Sequence, residues 1–274
     1  MPTDKSRKKK ITLIAEIGEN HLGNINIAKK MILLARKAGA NFAKFQSYNE
    51  QCLKNNDPEF QWFKKVSLSN NNHRILLREC NKNKINFMSS PFSMERAEFL
   101  CEDLKLKKIK IASCKNKDKN LLKYLDKKCK KIFFSTGLIN ISEIKNSLKY
   151  LNNSEVVIMH CVSEYPLKYK NANLLAIKVL KKNFKNHEIG YSDHSIGNLA
   201  CLTAVSLGAT VIEKHFTLDK NMMGTDHILS ANFADLKEIK TVSENILSLL
   251  GNEKKIPSKK ELKIKKFMIN RFRN

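Results

Sequence analysis

The chain has 274 residues, 42% of them hydrophobic, enough for one sizeable core; this excludes a disordered chain, and no apolar run is long enough for a membrane helix. The formal net charge of +25 invites a nucleic-acid reading, but the excess is nearly all lysine, spread along the whole chain without a nucleic-acid-binding signature, so no nucleic-acid partner is expected. Seven scattered cysteines with no CxxC exclude a zinc knuckle or a disulfide framework and point to a reduced, cytoplasmic protein whose thiols mostly fill the core. The first ten residues are polar and basic. The run 11–17 after them carries Glu16 and no small-residue cleavage pattern, so a signal peptide is not expected.

In chain order, short apolar or β-branched runs fall at 12–16, 42–46, 85–89, 108–113, 131–135, 155–161, 188–192 and 210–215. Between them lie segments with helical spacing, such as 27–37 and 141–151, and a closing helix is expected over 235–250. Eight strands alternating with helices imply parallel βαβ units, and eight is the number that closes a TIM (β/α)8 barrel. An open doubly wound sheet is the rival, but no Gly-rich dinucleotide loop follows the first strand. The expected organisation is a barrel over 1–250 and a basic C-terminal tail over 251–274, helix-prone at 259–266.

Each strand is apolar for most of its length and ends on a polar residue. Glu16 ends the first, Lys44 and Gln46 the second, and Ser89 and Ser90 the third; Lys110 and Ser113 belong to the fourth. Ser135 and Thr136 end the fifth, His160 the sixth, Ser192, Asp193 and His194 the seventh, and Glu213 and His215 the eighth. One serine after a strand is ordinarily a turn or helix cap. Eight such ends in succession, in a fold that gathers them on one face, predict a shared site.

Within that ring His194 and His215 come from neighbouring strands, and their imidazoles could bind one divalent cation with positions left for substrate oxygen and water. His160 and His21 read as loop-orienting residues, His227 as a loop residue, and His73 and His187 as surface residues. Lys44 and Lys110 are lysines among apolar strand neighbours. A buried lysine needs a partner, so the pair, with Ser90, Ser113, Ser135 and Ser192 as neutral donors, suits a small phosphorylated carboxylate. A Schiff-base lysine and a structural pairing of Lys44 with Glu16 are alternatives from the same residues.

These residues sit in recognisable motifs: AEIGENHLGN (15–24), AGANFAKFQS (38–47), SSPFS (89–93), KIAS (110–113), STGL (135–138) and HCVSEYP (160–166). The most specific are GYSDHSIGNLA (190–200), GATVIEKHFTLDK (208–220) and GTDH (224–227). In this order, over about 11–250, they resemble the sialic acid synthase (N-acetylneuraminate synthase) family. The resemblance implies a transferase of carbohydrate biosynthesis that condenses phosphoenolpyruvate with N-acetylmannosamine or a related amino-sugar aldehyde, releasing phosphate. It implies a divalent metal ion, Mn2+ or Mg2+, on His194 and His215, and phosphoenolpyruvate held by Lys44, Lys110, Ser90, Ser135 and Ser192. Glu16 and Asp226 would be acid/base or metal-shell groups, with Gln46 and Tyr165 near the sugar. Small-molecule substrates and a homodimer follow from the same resemblance.

The sequence departs from the family pattern in two places. The acid usually found two residues after the serine of the KIxS motif is Lys115 here, with Asp118 nearby as a substitute carboxylate. The tail ELKIKKFMINRFRN resembles the start of the linker to the family's C-terminal antifreeze-like domain, and the expectation is a barrel lacking that domain. Two readings stay open: an active synthase, or a catalytically impaired barrel that binds phosphoenolpyruvate and metal in a regulatory role.

Overall fold

A computed structural model describes residues 10–54, 56–252 and 254–271. The basic stretch before Lys10 and the last three residues lie outside the described residues. The strands are β1 (Thr12–Gly18), β2 (Phe42–Ser47), β3 (Asn86–Pro91), β4 (Lys108–Ile111), β5 (Lys131–Ser135), β6 (Glu155–Cys161), β7 (Glu188–Asp193) and β8 (Val211–His215). All their ladders are parallel, in the order β3-β2-β1-β8-β7-β6-β5-β4. β3 and β4 face each other across the remaining gap without a ladder, so the TIM-type barrel is nearly closed.

The helices are α1 (Ile25–Lys37), α2 (Phe60–Val66), α3 (Asn70–Lys82), α4 (Met94–Glu98), α5 (Lys119–Lys128), α6 (Ile141–Leu148), α7 (Ala176–Asn183), α8 (Leu199–Ser206), α9 (Phe233–Leu250) and α10 (Lys259–Ile269). Local chemistry sets their starts. Asn24 caps α1 by accepting from the N–H groups of Asn26 and Ile27, and capping boxes open α6 (Asn140 with Glu143) and α9 (Asn232 with Asp235). The inward face of α1 is Ala28, Met31, Ile32 and Ala35, the i, i+3, i+4, i+7 spacing of one helix side. α10 buries none of its residues.

Strand alternation sorts the core into two parts. Leu13, Ala15 and Ile17 of β1 point outward into the layer shared with the helices. Ile14, Phe42, Met88, Phe133, Val157, Met159 and Val211 point inward and form a separate apolar plug inside the barrel. One inward step further along the strands the residues become Glu16, Lys44, Ser90, Lys110, Ser135, Ser192 and Glu213. The barrel is thus filled below and polar above, and this places the site.

His73 is not a surface residue. It is fully buried on the inner face of α3 with Leu76 and Cys80, packs edge-on against Phe87 and Phe99, and has Nδ1 3.0 Å from the Ser69 carbonyl. His160 and His21 do orient loops: His160 Nε2 lies 2.9 Å from the Ala172 carbonyl, and His21 Nδ1 accepts from Gly23 N at 3.0 Å. Five of the seven cysteines are buried as core residues. No described helix is long and apolar enough to cross a membrane.

Candidate active site

A cavity of about 610 Å³ opens at the C-terminal ends of the strands. Its floor is a cluster of four charges. Lys44 Nζ lies 2.8 Å from Glu16 Oε1 and 3.7 Å from Glu213 Oε1, and Lys110 Nζ lies 2.9 Å from Glu213 Oε1. Lys44 is 4% exposed and Lys110 3%, so neither ammonium is hydrated as a surface lysine would be. Ser192 Oγ donates to Glu213 Oε1 at 3.1 Å, and Lys44 donates to Ser90 Oγ at 3.4 Å. Glu16 Oε2 and Glu213 Oε2 are buried with no hydrogen-bond partner, an arrangement that is costly unless something enters to use it.

The two carboxylates are driven apart in acidity. Burial raises Glu16, Lys44 only partly offsets it, and the neighbouring Glu213 charge adds to the rise, pushing it up to about 7. Burial acts on Glu213 in the same direction, but Lys110 and Lys44 outweigh it and hold that carboxyl down at about 2. Near neutral pH Glu16 is therefore partly protonated, and the floor keeps a surplus of positive charge. For Lys44 burial works against the ammonium, and Glu16 and Glu213 more than restore it.

The wall beside the floor carries two imidazoles, with ring centroids 5.5 Å apart. Burial and the neighbouring His215 depress His194 to about 3; burial and Lys44 depress His215 to about 3. Both are neutral, the form that ligates metals. His194 Nδ1 lies 2.7 Å from the Val162 carbonyl, which can only accept, so Nδ1 bears the proton and Nε2 presents its lone pair. That lone pair faces the Tyr165 hydroxyl at 3.0 Å, and the tyrosine ring stacks on His194 with centroids 4.0 Å apart. His215 Nδ1 is buried with no hydrogen-bond partner and lies 3.5 Å from Asp226 Oδ2. Burial raises the Asp226 carboxyl.

Two neutral imidazoles, one with an orphaned nitrogen beside a carboxylate, are donors a divalent cation accepts. Among the described residues no group of three or more His, Cys, Asp or Glu is arranged to hold a metal ion. Protein ligation would thus come from the histidine pair, with Asp226 near it and the other positions left to small ligands.

All eleven residues given a catalytic, substrate or metal role line this one cavity: Glu16, Lys44, Gln46, Ser90, Lys110, Ser135, Tyr165, Ser192, His194, His215 and Asp226. Of the other polar strand ends Ser113 lines it too, whereas Ser89, Thr136, His160 and Asp193 do not. The pairing of Lys44 with Glu16 is present as well. Glu213, read on the sequence as a polar end of the eighth strand but given no role, also belongs to the floor and shares its face with His215. Glu19, Glu59, Phe63, Cys114 and Ser163 also line the cavity. They sit on loops and the short α2, where no periodicity marks them. Glu19 Oε2 accepts from Trp62 Nε1 at 2.8 Å and Oε1 from Thr225, tying the Asp226 loop to α2. A Cβ at Gly137 would lie 2.5 Å from Ser113 Oγ and 2.6 Å from Ser163 Oγ, so glycine lets three strand ends crowd together there.

Lys115 is not among the lining residues; Cys114 occupies that wall instead. Asp118 does not replace the missing acid. Its side chain accepts from Leu121 N and caps α5.

Residues 31–255 match the NeuB family. The chain belongs to that family. It is 39% identical over 275 residues to the N,N'-diacetyllegionaminic acid synthase of Campylobacter jejuni, covering 93% of this chain and 82% of that protein. It is 33% identical over 246 residues to the N-acetylneuraminate-9-phosphate synthase of Homo sapiens, covering 83% and 67%. Among solved structures it is similar to the N-acetylneuraminic acid (sialic acid) synthetase of Leptospira borgpetersenii in complex with citrate. The TM-score is 0.90 at 33% identity, with 96% of this chain and 93% of that chain covered. A truncated 3-deoxy-D-arabino-heptulosonate 7-phosphate synthase from Thermotoga maritima shares the barrel alone, at TM-score 0.70 and 15% identity. The NeuB family assignment bears out the sialic acid synthase resemblance and the TIM barrel, and the chain is an enzyme of that synthase kind.

Proposed function

We propose that this NeuB-family chain condenses phosphoenolpyruvate with the open-chain aldehyde of an N-acetylated amino sugar, releasing phosphate and a nonulosonic acid. The observation that carries this reading is the pair of buried lysines at the cavity floor beside two neutral imidazoles. Lys44 and Lys110 neutralise the phosphate and carboxylate of the anionic substrate, and Ser90, Ser135 and Ser192 complete its hydrogen bonds. His194 and His215 would hold Mn2+ or Mg2+, with Tyr165 shifting its hydroxyl off His194 Nε2. A divalent cation there supplies Lewis acidity toward the aldehyde.

The methylene carbon of phosphoenolpyruvate forms the new bond to the aldehyde carbon, water adds to the carbon bearing phosphate, and phosphate leaves. Glu16, with a pKa near neutrality, can accept a proton from that water and return it. Asp226 stands beside His215 for the developing alcohol, and Gln46 and Tyr165 face the sugar. Residues 1–250 act as the catalytic barrel and 251–274 as a basic tail.

The test is phosphate release from phosphoenolpyruvate across a panel of N-acetylated hexoses, with and without a chelator. Sugar-dependent release that needs a divalent cation is expected. No sugar-dependent release across the panel would sink the proposal. A second reading, a barrel that binds phosphoenolpyruvate and metal without turnover, is favoured by Lys115 in place of an acid. It predicts an inactive wild type and a Lys115→Glu variant that gains activity.

A further inference from the structure

Behind the two histidines, on the outer face of the same strands, lies a second pair of buried charges that the reaction does not touch. Alternation along β7 and β8 turns Ser192, His194, Glu213 and His215 into the barrel and Asp193 and Lys214 out toward α8. Asp193 and Lys214 are register partners, and Lys214 Nζ lies 2.7 Å from Asp193 Oδ2 with both side chains essentially inaccessible. Lys214 Nζ also donates to the Ser195 carbonyl. Asp193 Oδ1 accepts from Tyr191 Oη at 2.9 Å and from Ser195 N at 3.0 Å. Its Oδ2 accepts from Ser195 Oγ at 3.1 Å and from Cys201 Sγ of α8 at 3.3 Å.

The ion pair by itself adds little net stability, because desolvating two charges offsets most of their attraction. Its removal would still leave the Tyr191 hydroxyl and the Ser195 N–H without their acceptor. The pair does fix register. A one-residue slip of β8 against β7 would turn His215 out of the barrel while His194 stayed, and this slip would unpair two buried charges. The network also grips the chain on either side of His194, at Asp193 and Ser195, and immediately before His215.

We propose that Asp193 and Lys214, with Tyr191 and Ser195, are positioning residues that set the spacing and aim of the two imidazoles and thereby the affinity for a divalent cation. This rests on the reading that His194 and His215 hold that cation.

The experiment titrates Mn2+ into the full chain without substrate, following the free-Mn2+ signal by electron paramagnetic resonance, alongside thermal unfolding. The double variant Asp193→Leu/Lys214→Met removes both charges and keeps apolar volume. It is expected to unfold at a lower temperature than wild type, because the Tyr191 hydroxyl and Ser195 N–H lose their acceptor, but to stay folded at the assay temperature. Its Mn2+ affinity is expected to fall roughly 10- to 100-fold, the usual consequence of losing groups that orient metal ligands. Tyr191→Phe, a milder change, is expected to weaken Mn2+ a few-fold in the same direction. A folded double variant that binds Mn2+ within twofold of wild type overturns the proposal. If the double variant does not fold, unchanged affinity in Tyr191→Phe overturns it instead. A wild-type chain that takes up no Mn2+ overturns the cation assignment and this proposal with it, whereas uptake by wild type with unaltered variants overturns this proposal alone.

Discussion

The two ends of the barrel use the same pairing of lysine with glutamate on different strands, under different solvation. At the C-terminal end Lys110 meets Glu213 with side-chain exposures of 4% and 6%. At the N-terminal end Lys131 of β5 bridges Glu155 and Glu188 at 2.7 and 2.9 Å, with side-chain exposures of 22%, 63% and 31%. Between them the apolar plug keeps water from passing from one end to the other. The upper charges therefore act on each other and on whatever enters the cavity, whereas water screens the lower ones. The strands supply the scaffold for both, and burial decides which pair carries chemistry.

The largest effect is expected at the upper pair. Lys110→Met leaves Glu213 buried with only Lys44, 3.7 Å away, to neutralise it. Removing one partner of a buried pair destabilises by about 3 kcal/mol, the low end of the usual range because Lys44 remains. The proposed phosphoenolpyruvate site also loses one of its two cations, so phosphate release should fall at least about 100-fold. Urea unfolding and a phosphate-release assay read the two effects separately. A variant with near-normal turnover would show that the two ends of the barrel do not differ in function.

A middle-sized effect tests the plug. A Cβ at Gly190 of β7 would lie 2.3 Å from Met159 Sδ and 2.9 Å from the Val211 carbonyl. The methionine end can swing away but the backbone oxygen cannot, so Gly190→Ala should destabilise by roughly 1–3 kcal/mol, the range for overpacking a filled core. Activity per folded molecule should fall less than in Lys110→Met, since no charged group at the floor is removed. Equal losses of stability and activity in the two variants would mean that plug and floor work as one unit.

Much of this layout was legible in the sequence, because the strand pattern has a period of two and the polar ends break it at a constant place. The bounds of β5 and β6 agree to the residue, β3 shifts by one or two positions at both ends, and the remaining strands shift by one or two positions at one end. Nine of the eleven site residues converge because they occupy those ends, and Tyr165 and Asp226 reach the cavity from the loops that follow β6 and β8. The sequence could not say which charge faces which. Whether Lys44 meets Glu16, a ligand or both depends on barrel stagger, which no local pattern encodes. His73 was misplaced because a polar residue at an inward helix position looks the same as a surface one until Phe87 and Phe99 close over it. α2 was missed since a seven-residue helix carries too few residues for periodicity, and the loop around Thr225 was legible only through its GTDH motif.

The smallest effect belongs to the lower pair, and it completes the contrast. Lys131→Met removes two ion pairs, but Glu155 and Glu188 are exposed enough to take up water in place of the ammonium. The ammonium also lies over the Phe133 ring, with Nζ 5.7 Å from its centroid, a contact worth about 0.5–1 kcal/mol at a partly exposed site that methionine loses. The expected loss is about 1 kcal/mol, shrinking at high salt, because exposed pairs contribute little and are screened. Phosphate release should be unchanged, since the plug of Phe42, Phe133 and Met159 stands between this end and the cavity. A loss of several kcal/mol would mean that the lower lysine is as poorly hydrated as Lys110, and that burial is not what separates the two ends.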